Sequence, residues 1–235
     1  MYRYKMNTVA IITAREGSKR IPKKNIKLFL GKPLITYSIQ VVLESGLFER
    51  IVVSTDSDEI ASVAKEYGAE IPFKRPTELA DDYTGTDEVF IHALRWLHEN
   101  DKIYNYACCI YPTAPMLKAK YLKNGLESLI KNKAASAFSV TTYPYPIFRS
   151  LKLNKQGRLE MIWPEYHKTR SQDLPEAFHD AGQFYWVDVE KYFSEKRIYS
   201  KDSIPVFIPR YLVQDIDTPE DWEMAEKLYQ INQHE

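Results

Sequence analysis

Short apolar runs recur along this chain at intervals that a helix can bridge, and that rhythm restricts the possible folds more than any other feature. Val9 to Thr13, Ile51 to Ser54, Tyr106 to Tyr111, Ser136 to Thr142, Gln183 to Val187 and Ile204 to Ile208 are such runs. Short apolar stretches without polar alternation read as strands buried on both faces. Between them lie stretches with helical spacing. Pro33 to Glu44 carries Leu34, Ile35, Ile39, Val42 and Leu43, with Pro33 at the first turn and Gly46 as a stop. Ser57 or Asp58 can cap a helix that continues to about Tyr67 and ends at Gly68. Thr86 to Glu99 and Lys118 to Asn132 are helical as well. Glu70 to Phe73 reads as a further short strand, and Val213 to Asp217 as a strand end, after which Thr218 caps an amphipathic helix from Pro219 to about Ile231. The alternation predicts an α/β fold with a mostly parallel, doubly wound sheet.

A chain of 235 residues can bury a sizeable core, and length alone permits one large domain or two. The reading is a single domain over 1–235. Formal net charge is zero, which argues against a nucleic-acid partner, and no apolar run is long enough for a transmembrane helix. No secretory signal is recognisable, so a cytoplasmic location follows by default. Met6 begins a more natural first strand than Met1, which makes Tyr2 to Lys5 dispensable. Cys108 and Cys109 are adjacent within an apolar run and read as small core residues.

The rhythm breaks between Tyr143 and Pro175, where Pro144, Pro146, Pro164 and Pro175 sit among many aromatics. The segment is too aromatic for a flexible linker and reads as a protruding insertion. Exposed aromatics in such number call for a partner, so the insertion is expected to be a dimer contact. A β-rich flap folded on its own domain is the alternative.

Directly after the first strand comes a loop with Gly17, Ser18 and the cations Arg15, Lys19, Arg20, Lys23 and Lys24. Gly17 has no Cβ and lets the backbone approach a ligand, and loop amides beneath the cations suit a polyphosphate. Arginine grips phosphate in a bidentate fork, whereas lysine acts as a mobile point charge. Five cations in ten residues can also be a solvated loop. Their place at the carboxyl end of a buried strand, where open α/β sheets bind ligands, favours phosphate. The loop matches neither the P-loop spacing nor the three spaced glycines of dinucleotide folds.

Asp215-Ile216-Asp217 is the second informative site. Alternation along a strand would put both carboxylates on one face, and such a pair suits Mg²⁺ completed by water and phosphate oxygens. Read alone, the same residues could simply start a helix. No Gly-x-Ser-x-Gly elbow occurs, and His92, His98, His167, His179 and His234 show no metal-ligand spacing. Direct in-line attack by an acceptor on a phosphate fits best, with positioning and charge neutralisation supplying the catalysis.

The motif Ala14-Arg15-Glu16-Gly17-Ser18-Lys19-Arg20-Ile21-Pro22-Lys23-Lys24-Asn25 resembles the signature of the CMP-sialic acid synthetase family. Arg75-Pro76-Thr77-Glu78-Leu79-Ala80, Tyr111-Pro112-Thr113-Ala114-Pro115 and Asp215-Ile216-Asp217 follow in the family's order. The resemblance covers nearly the whole chain. Within the family the chain is most similar to the pseudaminic acid cytidylyltransferase branch. The pointers are Ala107 to Pro112, Arg170 to Leu174 and His179 to Trp186. Sialic acid synthetases usually carry Gln where this chain has Tyr111, and Asn where it has Ala181.

That resemblance implies a nucleotide-diphospho-sugar transferase (GT-A-like) fold with an inserted dimerisation arm, Tyr143 to His179. It implies transfer of CMP from CTP to the C2 hydroxyl of a nonulosonic acid. Arg15, Lys24 and Asp217 would be catalytic. Ala14, Arg15, Gly17, Ser18, Lys24, Asn25, Arg75, Thr86 and Tyr111 would bind the nucleotide. Asp215 and Asp217 would hold Mg²⁺. Lys168, Arg170, Gln172, His179 and Gln183 would line the sugar site, reached by the arm of a neighbouring subunit in a homodimer.

Overall fold

The computed structural model describes residues 7–232. The opening Tyr2 to Lys5, Met6 and His234 lie outside the described residues. In chain order the elements are β1 (Thr8–Thr13), β2 (Leu28–Phe29), β3 (Lys32–Pro33), α1 (Leu34–Ser45), β4 (Arg50–Ser54), α2 (Asp58–Glu66), α3 (Thr86–Asn100) and β5 (Tyr106–Ile110). There follow α4 (Ala119–Asn132), β6 (Ser136–Thr142), β7 (Leu151–Leu153), β8 (Leu159–Met161), β9 (Phe178–Asp188), α5 (Val189–Glu195), β10 (Ser203–Phe207) and α6 (Pro219–Ile231).

Six strands form the central sheet in the order β10-β6-β9-β5-β1-β4. β1 pairs in parallel with β4 and β5, and β10 with β6, while β9 runs antiparallel to both its neighbours. Side-chain alternation assigns the two faces. Ala10 and Ile12 join Ile35, Ile39 and Leu126 on the face covered by α1 and α4. Val9 and Ile11 join Phe90, Leu94 and Tyr192 on the face covered by α3 and α5. Cys108 and Cys109 fall on opposite faces as free, fully buried thiols, and burial pushes the Cys109 pKa up to about 12. They are core residues, as expected.

Chain direction around β1 positions the site. From β1 the chain crosses through α1 to β4 on one side, then through α3 to β5 on the other. The carboxyl ends of β1 and β5 therefore flank a topological switch point, where a crevice opens in this class of sheet. A third cluster closes that end. Phe29, Leu34 and Tyr37 pack on Trp222 and Ala225 of α6, with the Phe29 and Trp222 ring centroids 5.5 Å apart. Ile216, fully buried in this cluster, anchors the segment that carries Asp215 and Asp217.

Several expectations change. Glu70 to Phe73 makes only a single bridge, Glu70 to Val52, because Pro72 has no N–H to continue the ladder. Val213 to Asp217 is not a strand. Its polar groups are met by side chains instead: Gln214 Nε2 donates to Asp215 O, and Asp217 N donates to Asp221 Oδ2. β9 begins at Phe178, well before Gln183, so the insertion between β6 and β9 spans 143–177 and leaves His179 in the sheet. That insertion carries the β7–β8 hairpin and a small aromatic cluster of Phe148, Trp163 and Tyr166.

Candidate active site

A cleft of about 530 Å³ opens at the switch point. Arg15 leaves the end of β1, Arg75 follows β4, Thr86 opens α3, and Tyr111 follows β5; all four line it. Lys23 adopts a left-handed conformation with φ 53°, and the short turn it starts brings Lys24 and Asn25 to the cleft. Lys23 itself turns away to Glu59 at 2.6 Å.

Five cations line the cleft, Arg15, Lys19, Arg20, Lys24 and Arg75, against two carboxylates, Asp82 and Asp217. Arg15 Nη1 bonds Asp82 Oδ1 at 2.7 Å, and Lys19 pairs with the other oxygen of Asp82. Arg20 bonds Asp217 Oδ2 at 2.7 Å. Lys24 Nζ donates to Ile216 O at 2.5 Å and reaches Asp217 Oδ1 at 3.2 Å. Three positive charges are left over, the field a polyphosphate requires.

Arg75 is the buried cation. Its Nε donates to Ser54 Oγ at 3.1 Å and its Nη2 to Ser54 O at 2.5 Å. Burial lowers its pKa to about 10, with Arg15 adding to the effect, so it stays charged at neutral pH. Asn25 Nδ2 donates to Arg15 O at 2.9 Å, while its buried Oδ1 has no partner among the described residues. An unmatched buried acceptor in a cleft is suited to a ligand donor.

The structure thus brings together Arg15, Ser18, Lys24, Asn25, Arg75, Thr86, Tyr111 and Asp217. It does not bring in Ala14, whose side chain is fully buried and whose N–H is spent on Ser54 O. Gly17 does not line the cleft and needs no left-handed backbone; a Cβ there would touch Arg15 Nη1 at 3.4 Å. Loop amides are partly committed as well, Glu16 N to Asp56 Oδ1 and Ser18 N to Glu16 O. Asp215 is exposed beside the cleft. Its carboxyl pKa is raised, first by desolvation and then by Asp217, against the pull of Lys24. Because Ile216 is buried between them, both aspartates are held near Lys24 without a strand.

None of the expected sugar residues lines this cleft. Lys168 and Arg170 are exposed on the insertion, Arg170 bonded to Asp173 at 2.7 Å. Gln172 lines a separate cavity at the insertion's root, beside Tyr143 and Pro146. The His179 ring packs on Tyr143 at 4.8 Å and shares a hydrogen bond with Asp180 O. Gln183 is buried, its Nε2 donating to Leu212 O at 2.6 Å, so its amide supports the sheet. Sequence reasoning missed Asp82, which sits in an acidic pair that reads as a solvated turn; the Arg75 motif just upstream was its only signal.

A switch-point cleft lined with cations, on a mostly parallel α/β sheet, defines a nucleotide-handling transferase. Among solved structures the fold is similar to CMP:2-keto-3-deoxy-manno-octonic acid synthetase complexed with CTP. The TM-score is 0.67 and identity 16%, covering 96% of this chain and 99% of that one. A second neighbour is the 4-diphosphocytidyl-2C-methyl-D-erythritol synthase of Anaerococcus prevotii, with a TM-score of 0.64 at 15% identity and the same coverage. Identity this low speaks for the fold alone. The family itself is plain: residues 9–234 match the cytidylyltransferase model, and the chain belongs to that family of enzymes. It is 45% identical to the pseudaminic acid cytidylyltransferase of Campylobacter jejuni over 97% of this chain and 98% of that protein. It is 34% identical to the CMP-N,N'-diacetyllegionaminic acid synthase of Legionella pneumophila, over 97% and 98%.

Proposed function

We propose that this enzyme transfers CMP from CTP to the C2 hydroxyl of a nonulosonic acid, pseudaminic acid, and releases pyrophosphate. The observation that carries the reading is the single cleft in which Arg15, Lys24, Arg75, Thr86 and Asp217 converge. The 45% identity to a pseudaminic acid cytidylyltransferase supports the choice of sugar.

Neither Cys nor His is among the residues that line the cleft, and in this reading the sugar hydroxyl attacks the α-phosphorus directly. The new O–P bond forms as the bond to the bridging oxygen breaks, pyrophosphate leaves, and the hydroxyl proton passes to solvent. Arg15 and Lys24 stabilise the charge on the phosphate oxygens, and Arg20 draws the leaving group as it parts from Asp217. Asn25, Arg75 and Thr86 hold the nucleoside end.

Asp215 and Asp217 are the residues that would hold Mg²⁺. They fit, because burial and the neighbouring Asp217 carboxylate raise the Asp215 pKa, and a hard dication would relieve that repulsion. Among the described residues no third His, Cys, Asp or Glu joins them, which leaves room for water and phosphate oxygens. When bound, the ion supplies charge neutralisation and acidifies the hydroxyl it touches. Asp217→Asn should keep the fold yet lose most activity; near-full turnover, or a wild type fully active in excess EDTA, would sink the metal site.

We further read the enzyme as a homodimer working in the cytoplasm, where CTP is made. The insertion would carry Lys168, Arg170 and Gln172 toward the neighbouring subunit's cleft. The test of function is incubation with CTP, Mg²⁺ and a panel of nonulosonic acids, following pyrophosphate. Strong turnover with pseudaminic acid and little with N-acetylneuraminate is expected. Equal kcat/KM with N-acetylneuraminate or a legionaminic acid would overturn the sugar assignment.

A further inference from the structure

Both carboxylate oxygens of Asp217 are already taken by cations. Arg20 Nη2 meets Oδ2 at 2.7 Å, and Lys24 Nζ meets Oδ1 at 3.2 Å. The two cations are held very differently. Lys24 is largely buried and also donates to Ile216 O at 2.5 Å, so it belongs to the wall of the cleft. The Arg20 side chain is 64% exposed, and Asp217 is its one ion-pair partner among the described residues.

The core sets this pair in place. Ile21, next to Arg20, and Ile216, next to Asp217, are both buried in the cluster that holds Phe29 and Trp222. Asp217 is fixed from its other side by α6. Its N–H donates to Asp221 Oδ2 at 3.1 Å, and Thr218 and Asp221 form the capping box that follows. With the chain anchored beside both residues, rotation of the Arg20 side chain alone makes or breaks the pair.

A hard dication binds carboxylate oxygens directly. At Asp217 it would have to take Oδ2 from Arg20 and then stand beside a guanidinium of like charge. Counted with Asp215, two carboxylates face two cations there, so a dication arriving alone leaves the group positive. A triphosphate reverses that balance. It carries more negative charge than the dication carries positive, and its oxygens suit the fork of a guanidinium. Arg20 lines the cleft, so it can turn from Asp217 to phosphate without leaving the site.

We propose that Arg20 closes the metal site of the nucleotide-free enzyme. It occupies Asp217 Oδ2 until a triphosphate draws the guanidinium away, so the dication enters with the nucleotide or after it, and not before. The inference rests on the reading of Asp215 and Asp217 as the pair that holds Mg²⁺. The exchange forms and breaks no covalent bond; Arg20 trades one anion for another, and Asp217 is released to the metal in the same event.

Mn²⁺ accepts the same oxygen ligands as Mg²⁺ and is read by electron paramagnetic resonance, so Mn²⁺ alone is titrated into the nucleotide-free enzyme. The wild type should bind it weakly. Arg20→Gln should bind it about fivefold tighter, the worth of an exposed ion pair, and adding Asp217→Asn to that variant should remove the gain. Arg20 is exposed, so its replacement leaves the core untouched. Lys19→Gln is the control: it removes another cation of the cleft, one paired with Asp82, and should keep the wild-type affinity. A wild type that binds Mn²⁺ as tightly as Arg20→Gln overturns the inference; if Asp217→Asn then abolishes that binding, the metal site itself stands. An equal gain in Lys19→Gln also overturns it, because the overall charge of the cleft would then decide. A gain in Arg20→Gln that survives Asp217→Asn puts the ion elsewhere and refutes both the inference and the reading of the metal pair.

Discussion

Lys24 is held more firmly than any other cation of the phosphate loop: its side chain is only 17% exposed, against 81% for Lys19 and 64% for Arg20. A pre-placed charge meeting negative charge that grows during reaction lowers the barrier more than it tightens binding. Lys24→Met should therefore cost about 3 kcal/mol, roughly a hundredfold in kcat, with a smaller change in CTP affinity. A rise in KM at unchanged kcat would show that Lys24 only binds the ground state. Lys19 and Arg20 look equally peripheral in the sequence, but Arg20 bonds Asp217 directly, so only Lys19 serves as the mild control. Asp82 is the opposite case, an anion paired with two of the cations assigned to phosphate in the proposed reading. It occupies Arg15 and Lys19, and Asp82→Asn should bind CTP more tightly; weaker binding would mean that Asp82 positions Arg15 instead. The same pairing has a pH signature. Lys19 first and Arg15 second hold the Asp82 pKa below its usual value, about 3.9 when unfolded. Its stabilisation of the nucleotide-free enzyme is therefore present above that value and lost as pH falls through the lowered one. Wild type and Asp82→Asn should differ in Tm at neutral pH and converge in acid.

Helix α4 shows how an element can contradict its own propensities. Gly125 sits in its middle, where alanine would ordinarily stabilise by about 1 kcal/mol. A Cβ at Gly125, however, would meet Trp186 Cδ1 at 2.8 Å and Phe184 Cε2 at 3.0 Å on β9. Gly125→Ala should thus destabilise, by about 1–3 kcal/mol as overpacked cores do, and a raised Tm would show that α4 can slide off the sheet. This contact joins segments some sixty residues apart and leaves no trace in local sequence. Patterns that are local were legible. β6 and α6 fall where composition puts them, Ser136–Thr142 and Pro219–Ile231, with Thr218 forming a capping box with Asp221. α5 escaped because seven residues cannot display a helical period, although Asp188 caps it through Lys191 N. The first half of β9 escaped because His179 to Gly182 has the composition of a turn, and a bulge is what it forms. At the site, the ordered motifs located Arg15 and Lys24 on one loop and Arg75 and Asp217 on two others, all lining the cleft. Which cation faces which carboxylate depends on α6 packing against the β2–β3 hairpin, and no motif encodes that.

On the scale of the whole molecule, the insertion between β6 and β9 is the part that this single chain leaves unfinished. Its hairpin is amphipathic. Leu151 pairs with Met161 and Leu153 with Leu159 on one face, while Lys152 and Glu160 form an ion pair of 3.3 Å on the other. Leu153 and Leu159 are each 68% exposed, and Tyr145 near the insertion's root is 80% exposed. A two-stranded hairpin is marginal by itself in water, and one that turns an apolar face outward gains stability only when that face is covered. A second copy of the chain offers the same face, and a two-fold arrangement covers both at once. The enzyme should therefore run at twice the chain mass in light scattering at micromolar concentration. Replacing Leu153 and Leu159 with glutamate should produce monomers whose β1-centred domain remains folded, since neither side chain enters the sheet's core. If the insertion also supplies Lys168 or Arg170 to the partner's cleft, those monomers should bind CTP normally and lose turnover of the sugar acid. Fully active monomers would refute both the dimer and the shared sugar site. Monomers that are inactive and also fail to bind CTP would instead tie the hairpin to the integrity of its own cleft.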